Sequence, residues 1–263
     1  MEPVSPRHRL VSDHCVDCLP EASGAELLVS VRDLREAQMA VSGQVGIVDF
    51  KEPSQGALAA CESSVWRSAV ERFEASLRLG RVRLSAALGE PGTGEELSSQ
   101  VPREFSFAKI GPSRCTTTEK LAAAWEATCL PESVELVPVA YADHVEAETI
   151  CPEQVLELVV DSGHQRLLVD TFTKDGRTLT DHISIQRLLS LIKTASRHGV
   201  WLALAGSIRL QEMQDLVAKG VHPKCWGVRG DVCDQRDRRG GLDATRVAAW
   251  QDACRRACSS ACT

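Results

Sequence analysis

The sequence lacks the features that mark membrane-spanning, nucleic-acid-binding and secreted proteins. No apolar run approaches the ~20 residues that a membrane-spanning helix needs. No basic run that would follow a phosphate backbone is present, and a formal net charge of -6 gives no general attraction to nucleic acid. The N-terminal stretch has no continuous apolar segment of the kind found in a secretory signal. We therefore expect a cytoplasmic protein that has neither a membrane nor a nucleic acid as partner.

The remaining composition is that of an ordinary globular protein. Hydrophobic residues make up 43% and charged residues 25% of the 263 residues, and this length fits one large domain or two small ones. A chain of this length buries a sufficient core without covalent crosslinks. The eleven cysteines are therefore expected to be free thiols, as is usual without a secretory signal.

Short apolar runs alternate with helix-like segments from residue 25 onward. Residues 1–24 are polar and are expected to form a poorly ordered N-terminal extension. The runs show no strict alternation with polar residues, which is typical of strands covered on both faces. There are eight such runs, and they begin at Glu26, Gly46, Arg83, Phe107, Val134, Arg166, Val200 and Cys225.

Two segments between these runs have clear helical spacing of apolar residues, Ser63 to Leu79 and Leu188 to His198. Eight strand–helix units predict an α/β fold, a (β/α)8 TIM barrel that forms a single domain over residues 25–263. A doubly wound open sheet is the alternative, but no Gly-x-Gly-x-x-Gly motif follows the first strand. Segment 90–105 is loop-like, so one helix of the ring is expected to be rudimentary.

Polar residues at the C-terminal ends of the strands are the active-site candidates, because the site of such barrels lies at that end. Asp49 and Lys51 are two residues apart on the second strand, so both point to the same face. Asp170 and Lys174 form a similar pair on the sixth strand, which lies opposite in an eight-membered ring. Lys109 is flanked by apolar residues on the fourth strand and is expected between the two pairs.

A cluster of lysines at the mouth of a barrel indicates carbonyl chemistry. Neighbouring ammonium groups and desolvation lower the pKa of a lysine, and a neutral lysine is the nucleophile that forms a Schiff base with a carbonyl group. Adjacent carboxylates balance charge and transfer protons, and lysines that stay protonated hold an anion. We therefore expect a carbonyl substrate that carries a phosphate or carboxylate, and no metal or other cofactor, since imine formation itself stabilises a carbanion.

The ends of the last two strands predict a phosphate site, which is a frequent feature of this fold. Gly206 and Ser207 precede a helix whose N-terminal amides would face an anion. Arg229 would add a bidentate donor, and Gly230 follows in the same loop. Ser30, at the end of the first strand, completes the predicted substrate- and phosphate-binding set.

Seven ordered motifs in this chain, from about Leu27 to about Arg246, resemble those of one known family. The chain is similar to the (5-formylfuran-3-yl)methyl phosphate synthases, which are TIM-barrel enzymes that act through a Schiff base in methanofuran biosynthesis. The motifs are LLVSVRDLREA, VDFKEPSQGAL, AKIG, YAD, LVDTFTKDGRTL, LALAGSI and GVRGDVCDQRDRRGGLD.

The resemblance implies a reaction in which two molecules of glyceraldehyde 3-phosphate condense to a furan aldehyde phosphate with loss of phosphate and water. Lys51 matches the family lysine that forms the Schiff base, and Lys174 matches a second catalytic lysine. Asp49 and Asp170 match acid–base carboxylates, and Lys109 matches a further active-site lysine. The partner implied is a triose phosphate, and a homo-oligomer is left open.

The residues alone do not rank Lys51 above Lys174, and they leave alternatives open. Another class I aldolase or a phosphate-sugar isomerase on the same barrel would use a similar site. A barrel that only binds a phosphorylated ligand and regulates a partner is the non-enzymatic alternative. The chain also departs from the family where Ala59 replaces a glycine and in segment 90–105, which leaves contacts from the third loop undefined.

Overall fold

Each of the eight predicted runs forms part of one parallel sheet in a computed structural model, which describes residues 24–259, the last two of them only as part of a helix. The order of the strands in the sheet is β5-β4-β3-β2-β1-β9-β8-β7-β6. The strands are β1 (Glu26–Val31), β2 (Ile47–Phe50), β3 (Arg83–Ala87), β4 (Phe107–Lys109), β5 (Glu135–Leu136), β6 (Val139–Tyr141), β7 (Arg166–Asp170), β8 (Trp201–Leu204) and β9 (Cys225–Val228).

The fifth predicted strand is split into β5 and β6, and this split closes the sheet into a barrel. Pro138 interrupts the strand because proline has no N–H to donate to a neighbouring strand. Before the split, Val137 N donates to Ala108 O at 2.8 Å, and after it Leu168 N donates to Pro138 O at 3.0 Å. The same segment therefore joins β4 on one side to β7 on the other, and the predicted (β/α)8 barrel is confirmed.

The helices lie between successive strands other than β5 and β6, and the last helix follows β9. Their bounds are α1 (Leu34–Ser42), α2 (Ser63–Arg78), α3 (Gly94–Ser98), α4 (Thr118–Glu126), α5 (Pro152–Asp161), α6 (Leu179–His182), α7 (Ile185–Arg197), α8 (Leu210–Ala218) and α9 (Ala244–Ser259). The two predicted amphipathic helices are α2 and α7, and α7 begins where the Ser184 side chain accepts a hydrogen bond from Arg187 N. The rudimentary helix expected within 90–105 is α3, which has five residues.

The core has one layer between the sheet and the helices and a second layer inside the barrel. The N-terminal end of the barrel is closed by Arg166, whose guanidinium lies 4.7 Å from the Phe107 ring centre and 4.6 Å from the Trp201 ring centre. Glu135 balances the charge of Arg166 at 2.8 Å. Apolar side chains fill the middle of the barrel, among them Leu28, Ile47, Val137, Leu168, Ala203 and Cys225. Polar space therefore remains at the C-terminal end of the strands.

None of the helices in the described residues combines the length and the apolar character needed to cross a membrane. The predicted N-terminal extension, residues 1–24, lies outside the described residues except for Gly24.

Candidate active site

A cavity of about 270 Å³ opens at the C-terminal end of the barrel strands. All ten residues predicted from the sequence line this cavity, although they come from six separate segments of the chain. They are Ser30, Asp49, Lys51, Lys109, Asp170, Lys174, Gly206, Ser207, Arg229 and Gly230. Their convergence follows from parallel topology, since equivalent strand ends meet at one end of the barrel.

Asp49 lies between Lys109 and Ser30 at the base of the cavity. The Nζ atom of Lys109 lies 2.6 Å from Oδ1 of Asp49, and Oγ of Ser30 donates to Oδ2 at 3.1 Å. The lysine contact is an ion pair rather than an aligned hydrogen bond, because Oδ1 has no hydrogen-bond partner in the described part of the chain. Lys109 reaches Asp49 across β3, where the facing residues are the small Ser85 and Ala87.

Asp170 and Lys174 form a second ion pair on the opposite wall. Oδ1 of Asp170 accepts from Lys174 Nζ at 3.0 Å and from Thr171 N at 2.7 Å, and Lys174 also donates to Thr171 Oγ1 at 2.9 Å. Burial acts to raise the pKa of Asp170, but the charges of Lys174 and Lys51 and these hydrogen bonds outweigh it and lower the pKa to about 2. Asp170 is therefore a carboxylate at neutral pH.

Lys51 lies between the two ion pairs and belongs to neither. It is buried, and it has no ion pair or hydrogen bond with another described side chain. Burial lowers the pKa of Lys51 to about 8; the carboxylates of Asp170 and Asp49 oppose this shift, and the ammonium groups of Lys174 and Lys109 add to it. Asp49 and Lys51 both line the cavity, as their spacing predicts, but the ion-pair partner of Asp49 is Lys109.

Asp143, which is not among the predicted site residues, fixes the loop that carries Lys174. Its Oδ1 accepts from Phe172 N, and its Oδ2 accepts from Thr173 N, both at 2.7 Å, and from Thr173 Oγ1 at 2.5 Å. Asp143 is itself buried just after β6. Its position at a strand end was the available signal, but the loop geometry that gives it three donors is not visible in the sequence.

A half-buried carboxyl group, that of Glu90, links the segment after β3 to β6 and to the loop after β4. Tyr141 donates its hydroxyl to Glu90 Oε1 at 2.5 Å, and Ser113 N donates to Oε2 at 3.0 Å. Gly111 leaves the space for this carboxyl group, since a Cβ there would lie 2.1 Å from Oε2. Burial raises the pKa of both Glu90 and Tyr141. Glu90 belongs to the segment whose contacts the sequence left undefined.

The turn after β8 supplies backbone N–H groups to the cavity. Gly206 and Ser207 both have positive φ, 105° and 54°, and a Cβ at position 206 would lie 2.9 Å from Thr171 Cγ2. The amides of Gly206, Ser207 and Ile208 have no acceptor among residues 24–257. Helix α8 begins only at Leu210, and its first amide is already bonded to Asp231 at 2.9 Å. The unbonded amides at this edge of the cavity therefore belong to the turn and not to the N-terminus of α8.

The contacts of Arg229 differ from those expected for a phosphate-binding residue. Its five N–H donors meet five acceptors: both Glu36 oxygens and the carbonyl oxygens of Ser30, Arg238 and Gly240. No donor is left for a phosphate group, so the geometry favours a structural role for Arg229 over direct phosphate binding. It joins the loop after β9 to β1 and α1.

Comparison with solved structures supports the fold. The chain is similar to KGPDC from Streptococcus mutans, with a TM-score of 0.56 and 13% identity over 89% of this chain and 98% of that chain. Phosphoribosyl anthranilate isomerase from Thermus thermophilus gives a TM-score of 0.56 and 13% identity over 87% of this chain and 97% of that chain. At these identities, the likeness shows the architecture alone.

Comparison with curated sequences is more specific. (5-Formylfuran-3-yl)methyl phosphate synthase of Methanococcus maripaludis strain C5 is 30% identical over 230 residues, which cover 82% of this chain and 92% of that protein. The synthase of the same name from Archaeoglobus fulgidus is 30% identical over 223 residues, covering 80% and 91%. The model of the 4-HFC-P synthase family matches residues 27–251. The chain therefore belongs to the 4-HFC-P synthase family of enzymes.

Proposed function

We propose that this protein condenses two molecules of glyceraldehyde 3-phosphate into (5-formylfuran-3-yl)methyl phosphate, a step of methanofuran biosynthesis, through a Schiff base on Lys51. The reaction is a lyase reaction that releases phosphate and water. Membership of the family supports the product, and the names of the relatives point to the same compound. The observation that carries the mechanism is the buried, unpaired amine of Lys51.

Lys51 is better prepared for nucleophilic attack than the other two lysines. Lys109 and Lys174 each contact a carboxylate, at 2.6 and 3.0 Å, which stabilises their ammonium forms. A pKa lowered from 10.5 to about 8 gives Lys51 roughly 300-fold more neutral amine near pH 7 than an ordinary lysine has. A neutral amine attacks the aldehyde carbon, and loss of water from the adduct gives the imine.

The carboxylates on the two walls then move protons. One of them removes a proton from the carbon next to the protonated imine, which gives an enamine, and the enamine carbon attacks the aldehyde of the second triose phosphate. Asp170, with its low pKa, acts as a base at neutral pH, and the ammonium group of Lys174 beside it is a proton donor. Phosphate elimination, ring closure, dehydration and hydrolysis of the imine complete the reaction and free the lysine.

The turn after β8 and the loop after β9 hold a substrate phosphate in this mechanism. The unbonded amides of Gly206 and Ser207 are donors for its oxygen atoms, and Gly230 lines the cavity next to them. Ser30 acts by orienting Asp49 rather than by touching the phosphate.

Borohydride reduction in the presence of glyceraldehyde 3-phosphate, followed by peptide mapping, tests this mechanism. We expect one reduced adduct on Lys51 and a furan chromophore when glyceraldehyde 3-phosphate is the only substrate. Lys51→Met should abolish both signals, whereas Lys193→Met, which removes an exposed lysine, should leave both unchanged.

An adduct confined to Lys174 would overturn the assignment of the nucleophile. An adduct on Lys51 without a furan product would favour another class I aldolase or a phosphate-sugar isomerase. If Lys51→Met and Lys174→Met both leave the biological function intact, the barrel acts as a ligand-binding regulator and the proposal is wrong.

A further inference from the structure

Arg238 extends across the mouth of the cavity. It lies in the loop after β9 and lines the cavity, and its Nη2 atom donates to the carbonyl oxygen of Gly56 at 2.9 Å. Gly56 belongs to the loop after β2, the loop that begins with Lys51. Because β1 lies between β9 and β2 in the sheet, the Arg238 side chain spans the end of β1. Its guanidinium therefore lies on the Lys51 side of the mouth.

The Arg238 guanidinium has no carboxylate partner among the described residues. Only one of its five N–H donors has an acceptor in the part of the chain that the structure describes, and no carboxylate there forms an ion pair with it. Burial lowers its pKa; the charge of Asp170 opposes this shift, and the cationic Arg229 and Arg239 add to it. A half-buried guanidinium with four free donors at the rim of a substrate cavity is a site for an incoming anion.

We propose that Arg238 binds the phosphate group of one of the two substrate molecules, while the turn amides of Gly206 and Ser207 bind the other. This inference rests on the proposed function, because a reaction that joins two phosphate monoesters needs two anion positions. The amides lie at the end of β8, whereas the Arg238 guanidinium lies beside the loop after β2. A guanidinium suits this ligand because its planar fork matches two phosphate oxygens.

Arg229 anchors the backbone of the loop that carries Arg238. It donates to the carbonyl oxygens of Arg238 and Gly240, both at 2.9 Å, while its other donors hold Glu36 and Ser30. The backbone from which Arg238 projects is therefore anchored to the barrel at β1 and α1. The phosphate-binding role that the sequence predicts for Arg229 is therefore assigned to Arg238, four of whose five donors have no acceptor in the described part of the chain.

Titration calorimetry with inorganic phosphate tests the proposal without any chemical step. We expect two phosphate ions to bind the wild-type protein and one to bind Arg238→Gln. In activity assays, the half-saturating substrate concentration of Arg238→Gln should rise at least about tenfold, because a hydrogen bond to a charged group is lost. Arg239→Gln is the matched control, since Arg239 is the exposed next residue of the same loop, and it should bind two phosphates. Equal phosphate number and affinity in wild type and Arg238→Gln would overturn the proposal, and loss of all phosphate binding would overturn the two separate positions.

Chemical modification of the wild-type protein provides a second measurement that does not depend on the folding of a variant. Phenylglyoxal should modify Arg238 without phosphate and be blocked at Arg238, but not at Arg239, when inorganic phosphate is present. Equal modification of Arg238 with and without phosphate would contradict the proposal. Lys51→Met should still bind two phosphates, so a failure of the Schiff-base mechanism and a failure of the Arg238 site give different results.

Discussion

Replacement of Lys51 by methionine should make the protein more stable while it removes activity. Lys51 is buried, and its pKa is lowered to about 8 because burial disfavours its charged form. Near neutral pH the folded protein still carries most of this lysine as an ammonium ion, in a place where the ion is less stable than in water. Methionine has a similar shape and carries no charge, so it fills the same space without this penalty.

The magnitude follows from the pKa. The difference between 10.5 and about 8 is 2.5 pKa units, which corresponds to about 3 kcal/mol in the free energy of unfolding. The attraction of Asp170 and Asp49 for the ammonium ion is already contained in this value. Between pH 8 and pH 10.5 the unfolded chain binds more protons at this site than the folded chain, so the wild-type protein gains stability with rising pH in that window. The advantage of Lys51→Met should therefore be full below about pH 8 and vanish near pH 10.5.

Urea denaturation of wild type and Lys51→Met near pH 7 and near pH 10 measures this difference. Lys193→Met serves as the control for the effect of pH on other groups, because Lys193 is exposed on α7 and its removal should change stability by less than about 0.5 kcal/mol. A Lys51→Met variant that is less stable than wild type near pH 7, or whose advantage does not shrink with rising pH, would refute the reasoning. Such a result would mean that the ammonium form of Lys51 is well accommodated, and that Lys51 is no better a nucleophile than its neighbours.

Three further substitutions test the surroundings of the site. Gly111→Ala should lower stability by about 1–3 kcal/mol in urea denaturation, because the new Cβ would lie 2.1 Å from Glu90 Oε2, whereas Gly46→Ala, with its nearest atom at 4.0 Å, should be mild. Asp143→Asn should lower kcat more than it raises KM, because an amide group cannot accept all three loop hydrogen bonds, and an unchanged kcat would exclude this positioning role. Lys109→Met should lower the free energy of unfolding by about 3–5 kcal/mol, since it leaves the β2 aspartate buried without its cation, and wild-type stability would contradict the importance of that ion pair.

The strands and the location of the site could be predicted from the sequence because each depends on local signals. Except for the half-buried β5, the strands are buried on both faces, and the nine strands therefore appear as eight apolar runs, of which one contains both β5 and β6. The polar residue that follows such a run lies at the C-terminal end of the barrel, and this position does not depend on which residues surround it in the folded protein. For this reason Lys51, Lys109 and Lys174 could be assigned to one cavity although up to 123 residues separate them (174 minus 51).

The pairings within the site could not be predicted, because they depend on side chains that are distant in sequence. Asp49 contacts Lys109 rather than Lys51 because the intervening strand carries small residues, which is visible only once the register is known. Arg229 is saturated by acceptors from α1, β1 and its own loop, so its availability for phosphate could not be judged from its position. The start of α8 at Leu210, four residues after Gly206, could not be predicted for a similar reason. The first amide of the helix is bonded to Asp231, which lies in another loop.

The three lysines differ in their partners because the base of the cavity has fewer carboxylates than lysines. Three lysines and two aspartates line it there, and each aspartate contacts a single lysine. One lysine, Lys51, is therefore left without a carboxylate partner among the described residues, and burial lowers its pKa to about 8. When Lys51 is neutral the five groups carry no net charge, and when it is protonated they carry one positive charge, which would attract the phosphorylated aldehyde of the proposed reaction. In the proposed mechanism, the same shortage provides both the attraction for the substrate and the free amine that reacts with it.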